Sequence, residues 1–287
     1  SINVAAVEND TIDTVAIAGG GGGTTGGAGG LLINVISRDI EAEFASDQTG
    51  RRTTVRLPAG KTLSVTAEAK ADVQATAGVA GGGGTTGVGA GVAVTVISDD
   101  VTAAMRDVDA DGTRRNGSGQ KVSGDRTRAK IAANRNVSVD SAVASVGAGG
   151  TTGLTGSFGI AVIAGTTRSV ADFLALDMQA IEITSTDVQA LDNVAGAVAG
   201  AGTAAVGVGI AVSTNSAENI ADAINSRLVA FDGMDIHAKT TATFGGVAVA
   251  GGAAGTAAVM GSASTNKMVG TTRTTIKDSI LASRGFI

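Results

Sequence analysis

The sequence predicts an all-β chain wound as a β-solenoid, and three observations carry that prediction. A Gly-rich block ending in Thr occurs five times along the 287 residues, three times with a Thr pair. Stretches that alternate apolar and polar residues, rich in Val and Ile, flank each copy, which is the period of a strand. Small residues dominate: 44 are Gly, Ala is more frequent still, and together they fill one position in three. Ordering that much glycine costs backbone entropy, so the fold must use the missing side chains geometrically.

The repeat is the primary signal. Gly19-Gly20-Gly21-Gly22-Gly23-Thr24-Thr25-Gly26 returns as Gly81-Gly82-Gly83-Gly84-Thr85-Thr86-Gly87 and as Gly147-Ala148-Gly149-Gly150-Thr151-Thr152-Gly153. Weaker copies contain Gly202-Thr203-Ala204 and Gly255-Thr256-Ala257. The first Thr falls at 24, 85, 151, 203 and 256, which defines about five Gly/Ala-rich repeats of 50–65 residues.

Strand patterns precede and follow each block. Leu63-Ser64-Val65-Thr66-Ala67 and Val137-Ser138-Val139-Asp140 approach it, while Leu31-Leu32-Ile33-Asn34-Val35 and Val92-Ala93-Val94-Thr95-Val96 leave it. A third piece, such as Asp39-Ile40-Glu41-Ala42-Glu43-Phe44, follows. Three or four short strands per unit are therefore expected, and no unit can bury its apolar face alone, so the units stack. The most economical architecture is a right-handed parallel β-helix with two to three coils per repeat. Where its sheets approach closely, only Gly and Ala fit between them. The ends, Ser1-Ile2 and Phe286-Ile287, read as cuts from a longer chain. Residues 1–287 are expected to form one repeat-built solenoid, with 106–136 as a charged loop insertion.

Composition excludes several functions. Without cysteine there is no disulfide scaffold, thiolate metal site or thiol nucleophile. A net charge of −5, an isoelectric point near 4.9 and 2% aromatic residues argue against nucleic acid as a partner. Residues 194–217 and 240–266 carry no charge. They consist mainly of Gly, Ala and Thr and align with the repeat, so they read as solenoid coils rather than membrane spans.

The unit Ala77-Gly78-Val79-Ala80-Gly81-Gly82-Gly83-Gly84-Thr85-Thr86-Gly87-Val88-Gly89-Ala90-Gly91-Val92-Ala93-Val94, followed by Asp100-Val101-Thr102-Ala103, resembles the repeats of large leukotoxin-type filamentous adhesins of Gram-negative bacteria. The likeness spans nearly the whole chain, and its low-complexity motifs specify architecture rather than ligand. It implies a secreted, surface-displayed, non-catalytic stalk whose partners are a host or neighbouring-cell surface, or like subunits joined end to end. A self-assembling extracellular filament or sheath is the alternative. A β-helical polysaccharide-acting enzyme and an ice- or crystal-binding surface are further ones, although one Thr pair per repeat is sparse for a regular array.

Candidate chemistry is thin. His237, the only histidine, follows Ile236 in an alternating stretch and so points to the opposite face as a solvated strand residue. Glu41 and Glu43 share one strand face as solubilising charges. No group of carboxylate, Lys, Arg and aromatic residues is expected at one level of the stack, which argues against an enzyme. The five glycine blocks open strands and lack the Lys of a phosphate loop. The remaining candidate is calcium. Asp107, Asp109 and Asp111 followed by Gly112 match the first half of a calcium loop, with the Thr113 carbonyl as the next ligand. Position twelve is Ser118 instead of Glu, Arg114 and Arg115 stand close, and Asp125 is the nearest substitute carboxylate.

Overall fold

A computed structural model describes residues 1–46, 51–112, 114–115, 118, 121–122 and 127–283. They are almost entirely strand, and none is helical. The strands are far longer than the local patterns suggest. β1 (Ile2–Gly22) runs through the glycine block, reverses at Gly23-Thr24 and returns as β2 (Thr25–Ala45). The second coil comprises β3 (Thr53–Arg56), β4 (Thr62–Gly83) and β5 (Thr86–Arg106). The third comprises β6 (Val108–Asp111), β7 (Arg114–Arg115), β8 (Lys121–Val122), β9 (Arg128–Gly149) and β10 (Thr152–Asp172). Then come β11 (Ala175–Ala201) with β12 (Ala204–Ile224), β13 (Arg227–Ala254) with β14 (Ala257–Met268) and β15 (Thr271–Lys277), and finally β16 (Ile280–Ser283).

Each repeat is thus one coil, built on two principal strands of about 21 residues, rather than two or three coils of short strands. The expectation failed because it treated the glycine blocks as punctuation. Those glycines are extended, and the reversal takes only the residues between Gly22 and Thr25. At about 3.3 Å per residue a 21-residue strand is roughly 70 Å long, so the solenoid is a flat blade.

Two parallel sheets form the blade. The first orders its strands β1-β4-β9-β11-β13-β16, with β3 and β6 alongside, and the second runs β2-β5-β10-β12-β14, with β15 also on β12. The register keeps the repeat aligned, as in Thr25–Thr86–Thr152–Ala204–Ala257 across the second sheet. The ladder continues around the narrow edge. The Thr24 carbonyl accepts from the Thr85 and Thr86 amides at 2.8 and 2.9 Å, and the Thr85 carbonyl does the same for Thr151 and Thr152.

The opposite edge is turned by a residue in the left-handed region. Asp107, Phe173, Asn225 and Asp278 have φ between 50° and 54° and stack one above another. The Asp107 amide donates to Asp172 O, the Phe173 amide to Ile224 O and the Asn225 amide to Lys277 O. Asp and Asn tolerate this conformation best among non-glycine residues. Ser226 adds a hydroxyl that accepts from the Leu174 amide at 3.1 Å.

Between these edges the blade tapers. Near the Asp/Asn corner the interior holds long side chains: Leu63, Met105, Ile131, Leu174, Leu176 and Met178. Towards the Gly-Thr edge a smaller cluster contains Leu32, Ala75, Ala77, Ala93 and Val143. Beyond it the sheets meet backbone to backbone. A β-carbon on Gly81 would lie 1.7 Å from the Val88 carbonyl oxygen, and one on Gly89 would lie 2.3 Å from that of Val146. Gly209 is confined by Val249 O at 2.7 Å.

The taper separates two kinds of glycine. Gly89→Val and Gly209→Val are expected to destabilise the fold by ~1–3 kcal/mol or more through overpacking. Gly82→Ala, at an outward position with nothing within 4 Å, is expected to stay within ~0.5 kcal/mol of the parent. Chemical denaturation of the three variants checks this, and equal effects at all three would contradict the taper.

Candidate functional site

The interior alternation that places Ile36 and Ile40 inward also places Arg38 inward, since both neighbours share its parity. The same rule takes Asp99 in with Ile97 and Val101, Arg135 with Ile131 and Val137, and Asp187 with Ile183 and Leu191. These four charges gather at one level, between the large and the small apolar clusters. The sequence expectation concerned only a level combining carboxylate, Lys, Arg and aromatic residues, and it did not anticipate this buried level of two Arg and two Asp.

The charges are mutually satisfied. Arg38 grips Asp99 through Nε at 2.9 Å and Nη2 at 2.6 Å, and its Nη1 donates to Asp10 Oδ2 and to the Lys70 carbonyl, each at 3.0 Å. The Asp99 hydrogen bond, supported by the fields of Asp99, Asp10 and Glu8, holds the Arg38 guanidinium pKa above its ordinary value against the opposing effect of burial. Arg135 is fully buried and pairs with Asp187 through Nε at 3.0 Å and Nη2 at 2.9 Å. Its Nη1 donates to the carbonyls of Asp99 at 3.2 Å and Ala164 at 2.7 Å. Gly165, at φ +111°, follows that carbonyl in mid-strand, and a β-carbon there would meet Asp99 O at 2.1 Å. Gln189 donates to Asp187, Asn215 donates to Gln189, and the Ala217 amide closes the chain on Asn215 Oδ1 at 2.9 Å. A hydrogen-bonded polar spine therefore crosses the first four coils. Bidentate Arg–carboxylate geometry fixes distance and orientation together, which suits it to setting the register between coils.

Other charges are exposed. Glu41 and Glu43 both face outward on β2, as expected, and Glu43 pairs with Arg106. His237 stands on β13 with Nδ1 2.8 Å from Asp235 Oδ1, at the surface. A groove of about 580 Å³ opens near the corner, lined by Arg128, Lys130, Glu182, Asp232 and Asp235 among others, with Lys130 and Glu182 paired at 3.0 Å. It adjoins the shift in β11–β13 register between Met178 and Ala180. Its mixed charges offer no paired nucleophile and base.

The calcium candidate is drawn out straight. Asp107 is the left-handed corner residue, and β6 carries Asp109 and Asp111 as alternate outward residues between β3 and β11. The strand sets Asp109 and Asp111 two residues apart on one outward face, and Asp107 precedes it at the corner. Among the described residues no group of three or more His, Cys, Asp or Glu could hold a metal ion. Thr113 and Asp125 lie outside the described residues. Within the charged run 106–136, residues 108–111 and 128–136 are coil strands rather than loop.

No known protein family, curated protein or solved structure matches the chain. No helix of the described residues is long and apolar enough to cross a membrane.

Removing one partner of a buried pair strands the other charge, so Arg135→Leu is expected to cost ~3–5 kcal/mol. The double variant Arg135→Leu/Asp187→Leu should recover most of that loss, and a double variant no more stable than the single one, in denaturant melts, would contradict the pairing. A second expectation concerns Asp140, whose pKa is raised by partial desolvation and by the neighbouring Asp192 and Asp72. A raised carboxyl pKa means the folded state holds more protons than the unfolded chain in the acidic range, so stability falls as pH rises through that range. Asp140→Asn should therefore raise the melting temperature at neutral pH and have less effect well below the carboxyl range.

Proposed function

We propose that the chain is a non-catalytic structural and adhesive segment of a stalk displayed outside a bacterial cell. The observation that carries this reading is the mode of assembly. Each repeat contributes one coil in register with the last, and stability is spread over coil-to-coil interfaces instead of residing in one closed core. Such a stack lengthens by adding repeats and presents two broad outer faces for contact. Its polar groups of opposite charge are spent on holding coils together, which supports a mechanical role over a chemical one. The resemblance of the Gly-Thr unit to filamentous-adhesin repeats points the same way.

A specific feature favours a second reading, a self-assembling filament. β1 and β2 end the sheets on one side, and β14 with most of β13 ends them on the other. Long parallel edge strands are templates for further pairing.

Beads coated with the chain, offered to host or bacterial cells, should retain them above albumin-coated beads if the adhesive reading holds; equal retention would overturn it. Light scattering with electron microscopy over a concentration series separates the two readings. Rods that lengthen along the stacking axis with concentration indicate the filament, and particles of fixed length indicate the stalk segment.

A further inference from the structure

In a sheet with one wet face, apolar residues point inward and polar residues outward. Along the half of the second sheet next to the Gly-Thr edge the order is reversed. Its inward positions include Thr95, Ser157 and Ser213, all fully buried, among Gly and Ala. Its outward positions are large and apolar. Leu31, Val92, Phe158 and Ile210 form one column across four coils. Ile33, Val94, Ile160 and Val212 form the next. At the end strand Leu31 and Ile33 are 65% and 59% exposed, and mid-sheet Phe158 is still 41% exposed.

Charge is segregated to match. Residues 14–37, 73–98, 141–167, 193–217 and 240–266 contain no charged side chain, and each stretch is an arch centred on the Gly-Thr reversal. Flat apolar faces of this extent mark contact surfaces.

We propose that this face is covered by the same face of a second copy of the chain. The four strands that carry these columns, at about 4.8 Å spacing, and nine residues at about 3.3 Å give a flat footprint of roughly 570 Å², approaching the ~800 Å² of accessible surface that each partner of a stable pair contributes. Rows of Val, Ile and Leu on a regular pleat suit sheet-on-sheet packing. Charge sets the orientation. Asp39, Glu41, Asp100 and Glu218 stand outward on the corner half of the same sheet, while Arg106 and Arg168 there are paired with Glu43 and Asp222. At the other end of the stack β15 adds the exposed Arg273 and Lys277. Copies with parallel strands would bury these charged halves against each other, at a desolvation cost. With antiparallel strands, about a two-fold axis lying across the strands, only the apolar halves overlap and each charged half projects past its partner's Gly-Thr edge. A lipid bilayer is the less suitable cover, because the end strands would take unpaired backbone groups into hydrocarbon.

Sedimentation velocity of the whole chain tests the pairing. The parent should form a dimer, and Ile160→Glu, which places a charge at the centre of the face, should weaken it by a factor of about 100. Its circular dichroism should match the parent, since the position is outward. Should that variant fold poorly, Ile33→Glu on the end strand replaces it. Because the chain has no cysteine, Ile160→Cys should give a cross-linked dimer on oxidation, whereas Thr76→Cys on the first sheet should not. A parent that stays monomeric, rods unaffected by Ile160→Glu, or flotation with phosphatidylglycerol-containing vesicles in place of dimerisation would each overturn the proposal.

Discussion

The approach of the two sheets at the Gly-Thr edge is the constraint on which the structure depends. A reversal made by two residues holds the strand ends at backbone contact distance, so no inward side chain can exist beside it. Gly20, Gly22, Gly26, Gly81, Gly83 and Gly87 each face a carbonyl oxygen of the opposing sheet or coil at about 2 Å from where a β-carbon would be. Further from the edge the sheets diverge, and the interior accepts first Ala and Val and then Leu, Ile and Met. One strand thus carries a size gradient along its length. A mean interior residue would fit nowhere, because packing at native density requires a different volume at each distance from the edge.

The taper also explains the polar spine. Apolar burial tolerates sliding of one coil against the next, since a parallel ladder of Val and Ala looks similar after a two-residue shift. A buried Arg does not. Arg135 reaches Asp187 one coil away in its own sheet and the Asp99 and Ala164 carbonyls across the interior, so any slip would strand a charge in a medium of low dielectric. Such pairs add little net stability over an apolar substitute, yet they penalise every wrong register. In a low-complexity sequence, where misalignment is the main hazard, that penalty has structural value.

The architecture was legible because it rests on periodicity. The five blocks gave the number of repeats, though not that each repeat is a single coil; the alternation gave strands, and the Gly/Ala content gave the close approach. Strand length was not legible, since a glycine run looks the same whether it is extended or turned, and only its neighbours in adjacent coils decide. The corner was available but overlooked: Arg106-Asp107-Val108, Ile224-Asn225-Ser226 and Lys277-Asp278-Ser279 place Asp or Asn directly after β5, β12 and β15, with Phe173 in that place after β10. The spine too could have been found by parity, because Arg38, Asp99, Arg135 and Asp187 each sit in step with inward Ile or Val. For Asp107, Asp109 and Asp111 spacing alone does not decide. Spacing of two suits a calcium loop and a strand equally, and β6 sets Asp109 and Asp111 on a strand between β3 and β11.

Glycine density and outer apolarity are linked consequences of one geometry. A coil stripped of inward side chains near its edge loses the apolar burial that would ordinarily hold its sheets together. What remains there is the hydrogen-bond ladder between coils and whatever covers the outer faces. Outward β-branched residues supply part of that cover within one molecule, since Val92, Phe158 and Ile210 stack on one another across the coils. They also stiffen strands whose glycines would otherwise leave them loose. The same residues leave an apolar surface, so the thin edge that makes the blade possible also makes it a surface suited to contact.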